Sequence, residues 1–263
     1  MRTRFAGRSD EEIAEGLAEL AEFRDTVLAR ARITRGETVA DVGTGTGLIA
    51  IAAVERVGPD GTVVAIDISA DCLEEVRRIA TAPNIVYLIG TAEVLPLPNE
   101  SIDAVLTRSV LIYVSEKDEA ASEFFRVLRP GGRVSLFEPI NSRNLRLSEA
   151  VDFGELASLV AEWERETYSR EDDPMLNFDE HDLVRCFEEA GFRDIDLDLR
   201  SGEGEMSADR MLNGVGAPGR KSILEIWQGR FSPEEVDELV RILRSHNSIR
   251  RAWPQVYLSA VKP

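Results

Sequence analysis

The sequence is poor in the residue types that build metal sites and disulfide frameworks. Its 263 residues include two cysteines and two histidines. These are Cys72, Cys186, His181 and His246, and none stands at a spacing typical of metal ligands. A zinc site built from all four is a weaker hypothesis than two free thiols in a reducing compartment. We therefore expect no metal site.

Long apolar runs and positive charge are also scarce. The N-terminal residues, MRTRFAGRSDEE, lack the apolar core of a signal peptide, and no run reaches the length of a membrane span. The formal net charge of -17 argues against nucleic acids and anionic membranes as partners. Arg143 lies close to Arg146 in sequence, as Arg250 does to Arg251, and we interpret both pairs as surface charge. We expect a cytoplasmic protein.

A glycine-rich stretch, TVADVGTGTGLIAI over residues 38–51, predicts a strand, a tight turn and the start of a helix. This is the first half of a βαβ unit. Glycine adopts positive φ and lets a ligand lie against bare backbone. The helix start presents free N–H groups. The spacing is G-x-G-x-G after an acid, whereas a dinucleotide site has G-x-G-x-x-G. The alternative is a turn without a ligand.

Further strands are expected after this turn. Four segments are rich in β-branched and apolar residues, as buried parallel strands are: residues 62–66, 85–89, 102–106 and 133–137. Asp67 follows the last glycine by about 20 residues, where a ribose-hydroxyl acceptor is expected. Ser69 is placed to cap the next helix. Ligands of open α/β sheets bind outside the carboxyl ends of strands. One crevice is expected to collect Asp41, Asp67, residues 91–93 and Arg108.

A helix is predicted ahead of the first strand. Ser9 and Glu12 form a capping box, and apolar residues then recur at helical spacing as far as Leu28. The helix would have about six turns and end near Gly36. It would either cover the edge of the sheet or close over a ligand. We assign residues 1–36 to this helical segment and residues 37–263 to one domain.

The family becomes recognisable from several segments taken together. Four of them resemble, in order and spacing, the motifs of class I S-adenosylmethionine (SAM)-dependent methyltransferases, close to the ubiquinone/menaquinone-type subgroup: VADVGTGTG, VVAIDIS, GTAEVLPLPNESID and IDAVLTRSVLIYV…FFRVLRPGGRVSLFEP. The resemblance covers about residues 37–139, the helix at 179–190 and the closing strand. It implies an enzyme with a Rossmann-like, doubly wound α/β sheet of seven strands, mostly parallel with the last one antiparallel. It also implies SAM as the cofactor.

The resemblance assigns the methionine end of SAM to the glycine turn. Gly43, Thr44 and Gly45 would hold it, with Asp41 and Gly47 in the same motif. No metal is implied.

The resemblance also assigns the adenosyl end. Asp67 would accept the ribose hydroxyls, Ile68 would pack on the adenine, and Ala92 and Glu93 would flank its edge. Many relatives carry Asp where this chain has Thr91. The Thr91 hydroxyl or the Glu93 carboxylate would then have to accept the adenine amino group.

Few residues are candidates for a role in the methyl transfer itself. Arg108 would lie beside the methionine amino group, as the resemblance implies. A general base is needed only if the nucleophile arrives protonated, and the candidates are Tyr113, Glu138 and His246. His181 is expected to be exposed. A structural role is the alternative for each of these residues.

Two inserts, at about residues 140–176 and 201–253, interrupt the expected core. Long inserts with their own structure are often lids over a ligand crevice, so we predict a helical cap. The alternatives are a covered sheet edge or a homodimer contact. In the second insert, Ser232-Pro233 predicts a capped helix start.

The expected function is methyl transfer to an O, N or C nucleophile of a small metabolite, natural-product intermediate or peptide. A non-catalytic SAM-binding sensor or assembly protein is the first alternative, and a nicotinamide-dependent oxidoreductase is the second. Arsenite methyltransferases share this core but rely on a set of cysteines, which two cysteines on sheet helices do not easily supply.

Overall fold

A computed structural model describes residues 10–214 and 219–263 of the chain, and side chains from Ile13 onward. The first helix, α1, spans Asp10–Ala31, so Ser9 of the predicted capping box lies outside the described residues. The helix ends before Gly36 because Arg32 takes a left-handed conformation, with φ 48°. Arg133 donates hydrogen bonds to the carbonyl oxygens of Ala31 and Arg32, which satisfies the end of the helix.

Seven strands form one sheet in the order β3-β2-β1-β4-β5-β7-β6. They are β1 Thr38–Val42, β2 Thr62–Asp67, β3 Ile85–Ile89, β4 Ile102–Arg108, β5 Leu128–Pro139, β6 Arg193–Met206 and β7 Ile249–Val261. The first five strands pair in parallel, and β7 runs antiparallel to β5. The predicted fold class is confirmed. Because the strand order reverses between β1 and β4, the ligand-binding switch point lies there.

Nine further helices are described in the same residues. They are α2 Leu48–Val57, α3 Ala70–Ile79, α4 Lys117–Val127, α5 Leu147–Ala150, α6 Ala157–Tyr168, α7 Glu180–Glu189, α8 Ala208–Asn213, α9 Ile223–Gln228 and α10 Pro233–Ser245. Two predicted starts are confirmed: Ser69 accepts a hydrogen bond from Cys72 N–H, and Ser232 forms a capping box with Glu235. Among the described helices, none combines the length and the apolar character needed to cross a bilayer.

The chain divides into two compact units. Unit 1 comprises Met1–Pro139, Phe178–Leu199 and Gln255–Pro263. In it, α1 packs on β4 and β5. Phe23 of α1 stacks on Phe137 at 4.3 Å, and Phe137 lies 5.2 Å from Tyr257. Burial of each such side chain contributes about 1.5–3 kcal/mol. The first helix is therefore part of the cover of the sheet.

Unit 2 comprises Ile140–Asn177 and Arg200–Pro254. Its core centres on Trp163 and Trp227, whose rings meet edge to face at 5.5 Å, and on the apolar face of α10. Arg220 holds both carboxylate oxygens of Asp173 at 2.6 Å. This unit thus has a hydrophobic core of its own. That the two inserts form a cap stays a prediction.

Strands β6 and β7 both extend into the second predicted insert, at about residues 201–253. Gly202 and Gly204 indicate a loop by their residue type, yet both lie in β6. A Cβ at Gly202 would stand 2.2 Å from Nε1 of Trp253, and one at Gly204 would also meet that indole. The glycines are needed because Trp253, which lies far along the chain, fills their side-chain space.

Candidate functional site

A cavity of about 350 Å³ opens at the carboxyl ends of β1, β2 and β4, at the switch point of the sheet. Its lining residues are Val42, Gly43, Asp67, Ile68, Gly90, Thr91, Ala92, Glu93, Ser109, Val110, Tyr113 and Val114. The structure thus brings together six of the residues assigned to the cofactor, and Tyr113 with them.

Gly43 is the residue of the glycine turn that lines this cavity, whereas Gly45 and Gly47 are not among its lining residues. Gly43, Gly45 and Gly47 have φ values of 68°, 52° and 82°, which side chains rarely adopt. A Cβ at Gly43 would lie 2.2 Å from Cγ2 of Val110. No larger residue fits at position 43 unless Val110 moves.

Asp41 does not line the cavity. Its carboxylate is 2 % exposed, and the same oxygen, Oδ2, accepts Thr44 Oγ1 at 2.7 Å and Ala50 N–H at 2.9 Å. Burial raises the pKa of Asp41 to about 7, although both hydrogen bonds oppose the shift. Thr44 is also buried. Asp41 and Thr44 therefore hold the turn in shape from inside the protein, and a contact of either residue with the cofactor stays a prediction.

Asp67 does face the cavity, and its carboxylate is fixed by backbone groups. Gly45 N–H donates to Oδ2 at 2.8 Å, and Ser69 N–H donates to Oδ1 at 2.9 Å. Each oxygen keeps a lone pair for another donor. Ile68, next in the chain, exposes 72 % of its surface. A rigid acceptor pair beside an apolar surface suits a ribose with its base.

Gly47 and Arg108 lie outside this cavity. Gly47 lines a second cavity, of about 420 Å³, formed by α1, α2 and α3. Arg108 ends β4, and its Nη1 lies 3.5 Å from Ser109 Oγ. Its positive charge lowers the pKa values of Asp41 and Glu138 and so opposes the effect of their burial.

Residues 91–93 differ in whether their side chains can still accept a hydrogen bond from a ligand. The Thr91 hydroxyl already accepts Val94 N–H at 3.2 Å, and Ala92 is buried. Glu93 is half-buried and makes no hydrogen bond or ion pair with any residue that the structure describes. The Glu93 carboxylate is therefore the better placed acceptor of the two candidates.

Glu138 is fully buried and holds a turn. Its Oε1 accepts the N–H groups of Val110 and Leu111 at 2.8 and 2.9 Å, and its Oε2 accepts that of Ile112 at 3.1 Å. Burial raises the pKa of Glu138 to about 7, against the effect of these bonds. Glu138 does not line the cavity. It anchors the wall formed by Val110 and Tyr113, and its oxygens are not directed at a reacting group.

Tyr113 is the catalytic candidate that lines the cavity, and it is 54 % exposed. His246 is the exposed residue that ends α10 in unit 2. His181 is exposed beside Glu180, at 3.6 Å. Neither histidine is among the residues that line the cavity.

Sequence reasoning missed several lining residues. Ser109 has φ 55°, and its N–H donates to Phe137 O at 2.8 Å, which turns the chain from β4 into the wall segment. Its position at the carboxyl end of a strand was the available signal. The left-handed conformation was not predictable from a serine.

Comparison with known proteins gives a consistent result. A family model described as a methyltransferase domain matches residues 39–132. The ubiquinone/menaquinone biosynthesis C-methyltransferase of Escherichia fergusonii is 32% identical over 174 residues, which cover 62% of this chain and 69% of the relative. The arsenite methyltransferase of Halobacterium salinarum is 31% identical over 157 residues, which cover 56% of this chain and 40% of the relative.

A solved structure shares the fold at lower identity. The phosphoethanolamine N-methyltransferase 2 of Haemonchus contortus, in complex with S-adenosyl-L-methionine, has a TM-score of 0.54 and 19% identity. The match covers 91% of this chain and 52% of that chain.

Proposed function

This chain belongs to the class I SAM-dependent methyltransferases, enzymes whose cofactor is SAM, and on that premise we propose that it methylates an O, N or C nucleophile of a small metabolite, natural-product intermediate or peptide. One observation carries the proposal. Asp67, fixed by Gly45 and Ser69, faces a cavity at the switch point of the sheet. The volume of the cavity falls in the range of roughly 300–1,000 Å³ that is usual for small-molecule sites.

The residues present suit SAM. Asp67 has free lone pairs for the ribose hydroxyls, and Ile68 exposes apolar surface for the adenine. Gly43 lets Val110 pack against its backbone, because it carries no side chain, and the two residues line the cavity together. Glu93 adds a second acceptor. When bound, SAM supplies a methyl group on a sulfonium, which is already an activated electrophile.

The contribution of the protein to catalysis is then mainly positional. The cavity walls, fixed by Asp41 and Glu138, would align the reactants and exclude water. A base is required only for a protonated nucleophile. For that case we propose the Tyr113 phenol, because it lines the cavity and neither Glu138 nor His246 does.

Arsenite is disfavoured as an acceptor. The two cysteines are free, and burial raises the pKa of the Cys186 thiol to about 12. A thiol with that pKa stays protonated at neutral pH and is a poor ligand for a soft element. Cys72 would then have to bind the arsenic without a second thiolate from Cys186.

Titration calorimetry with SAM and with S-adenosylhomocysteine tests the cofactor. We expect micromolar binding of both, and binding of neither would overturn the proposal. Transfer of a labelled methyl group from SAM to a component of a cell extract then tests catalysis. Binding without transfer would indicate a SAM sensor, and hydride transfer without SAM binding would indicate an oxidoreductase.

A further inference from the structure

In unit 2, a backbone hydrogen bond joins the two chain segments that carry a pair of arginines distant in sequence. Arg146 and Arg251 belong to the two pairs that we interpreted as surface charge. Leu145 N–H donates to Ala252 O at 3.1 Å, which makes the adjacent residues, 146 and 251, neighbours across this bond. Both side chains are half-buried.

The guanidinium of Arg146 lies 3.4 Å from the ring centre of Tyr168. Its Nη2 donates to Ser142 O at 2.8 Å, and its Nη1 is 3.3 Å from Asn144 O. The ring and the two carbonyls hold the guanidinium in one orientation. A further hydrogen bond joins it to the Tyr168 side chain, and its remaining N–H groups are available to a ligand.

Arg251 has a poorer set of partners. Its Nη1 lies 3.8 Å from Sδ of Met206, and a thioether is a weak acceptor. Among the residues that the structure describes, no carboxylate forms an ion pair with the guanidinium of Arg251 or Arg146, although Glu149 accepts the backbone N–H of Arg146 at 3.2 Å. A half-buried cation without a counter-charge is costly.

The electrostatics locate both cations at one phenol. Burial raises the pKa of Tyr168, and the charges of Arg146 and Arg251 both act against that shift; Arg146 also forms a hydrogen bond with the phenol. Burial also lowers the pKa of Arg251, and Arg210 acts in the same direction. The buried Glu164 carboxylate raises the pKa of Tyr168, so a negative charge also acts on this phenol.

Other arginines of unit 2 show what is usual in this chain. Arg220 pairs with Asp173 at 2.6 Å, and Arg244 pairs with Asp209 at 2.8 Å. In a protein of net charge -17, carboxylates are abundant, yet none in the described part of the chain forms an ion pair with the guanidinium of Arg146 or Arg251. A guanidinium presents a planar fork of donors that matches a carboxylate or a phosphate.

We propose that Arg146, Arg251 and Tyr168 form a binding site for the oxyanion group, carboxylate or phosphate, of a small molecule. The Tyr168 hydroxyl, which stays protonated, donates a further hydrogen bond. A site of this kind selects methyl acceptors that carry such a group, and this second step rests on the proposed function.

Thermal unfolding of the full chain tests the site. Melting is measured in sodium phosphate, sodium acetate and sodium chloride at equal ionic strength, for the wild type, Arg251→Gln and Arg146→Gln. Arg244→Gln is the matched control, because this arginine belongs to the same unit and is paired. Titration with S-adenosylhomocysteine checks that each variant is folded.

We expect phosphate or acetate to raise the melting temperature of the wild type and of Arg244→Gln above that in chloride. Arg251→Gln and Arg146→Gln should each weaken binding of the anion by about tenfold or more. A response to phosphate alone identifies a phosphate site, and a response to acetate alone a carboxylate site. The proposal is overturned if neither anion raises the melting temperature of the wild type above that in chloride. It is also overturned if the rise in Arg251→Gln equals that in the wild type. If Arg251→Gln does not fold, the same comparison of Arg146→Gln with the wild type tests the proposal.

The acceptor is tested separately. Cell extract is incubated with methyl-labelled SAM and each variant, and the small molecules are passed over an anion exchanger. We expect label in the retained fraction with the wild type and Arg244→Gln, and much less with Arg251→Gln. Label confined to unretained molecules overturns the acceptor step. Failure of the wild type to bind SAM would instead overturn the proposed function.

Discussion

The carboxylate of Glu138 accepts the backbone N–H of Val110 at 2.8 Å, and this bond joins the end of β5 to the wall of the cavity. Leu111 and Ile112 donate to the same side chain. Three N–H groups of one turn, two of them in buried bonds, thus depend on one residue. The shape of the site is set by a side chain that does not line it.

Replacement of Glu138 should therefore affect cofactor binding. Glu138→Gln keeps one oxygen for Val110 and Leu111 but turns an amide N–H₂ towards Ile112, so we expect S-adenosylhomocysteine to bind about tenfold more weakly. Glu138→Leu leaves three N–H groups without acceptors and should lower the free energy of unfolding by about 3 kcal/mol or more. Calorimetry and urea unfolding measure the two effects.

The control for this prediction is Asp103→Asn. Asp103 lies at the other end of β4, where it accepts Thr38 N–H and pairs with Arg129. Asp103→Asn should lower stability and leave the affinity for the ligand unchanged. Equal affinities in Glu138→Gln and the wild type would show that the turn does not shape the site.

Asp67 should be the largest single contributor to cofactor affinity. Asp67→Ala removes the acceptor for the ribose and also leaves Gly45 N–H without its partner. Hydrogen bonds to charged groups contribute about 1.5–3 kcal/mol, so we expect S-adenosylhomocysteine to bind about 10- to 100-fold more weakly. Asp71→Asn, on the first turn of α3, is the control and should bind normally. Unchanged affinity of Asp67→Ala would remove Asp67 from the site.

Glu93 should recognise the adenine amino group. Calorimetry compares S-adenosylhomocysteine with S-inosylhomocysteine, in which an oxo group replaces that amine. The wild type should prefer the adenosyl compound by about tenfold, because an oxo group facing a carboxylate loses a hydrogen bond and adds repulsion. Glu93→Gln should reduce this preference, since its amide can donate. Loss of the preference in Thr91→Val but not in Glu93→Gln would assign the role to Thr91.

Stability should fall as the pH rises towards neutrality, in part because of Asp41. Burial raises the pKa of Asp41 from 3.8 to about 7, so between these values the folded state binds a proton that the unfolded state does not. This contribution is complete below the lower value and is lost as the pH rises through the upper one. Its upper limit is about 4 kcal/mol.

Asp41→Asn keeps an oxygen for Thr44 and Ala50 and cannot ionise. Urea unfolding between pH 5 and 8 should therefore show a smaller loss of stability with rising pH for Asp41→Asn than for the wild type. Asp60→Asn, in an exposed turn, should follow the wild type. Parallel curves for Asp41→Asn and the wild type would mean that Asp41 does not bind this proton.

Gly43 should tolerate no side chain. Gly43→Ala combines a strained φ of 68° with a Cβ that would lie 2.2 Å from Val110, so we expect a loss of about 2–4 kcal/mol in stability. Adding Val110→Ala should recover part of that loss in a double-mutant cycle. Strictly additive effects would show that the contact does not determine the residue type at position 43.

The sequence predicted those parts of the fold that have local signatures. The glycine turn, the Ser69 cap and the Ser232-Pro233 helix start each depend on residues a few positions apart, and the structure has all three. Asp67 could be placed in the cavity because the distance from the glycine turn to the second strand is short and regular.

The other features of the fold and the site depend on contacts between residues that are far apart in the chain. No sequence signal near Gly202 predicts its contact with Trp253. Likewise, none near Glu138 predicts its bonds to the turn that starts at Val110. Arg146 and Arg251 were interpreted as surface charge because each has another arginine close by in sequence. The segments that carry them are joined by the backbone bond between residues 145 and 252.

The strand order also has a consequence during synthesis. β7 comes later in the chain than β6 but lies between β5 and β6 in the sheet. Until residue 261 has left the ribosome, β5 therefore presents an unpaired edge and β6 has no neighbour to join. An open edge of this kind can pair with other chains. The nascent protein should thus depend most on chaperones at the moment just before its seventh strand emerges.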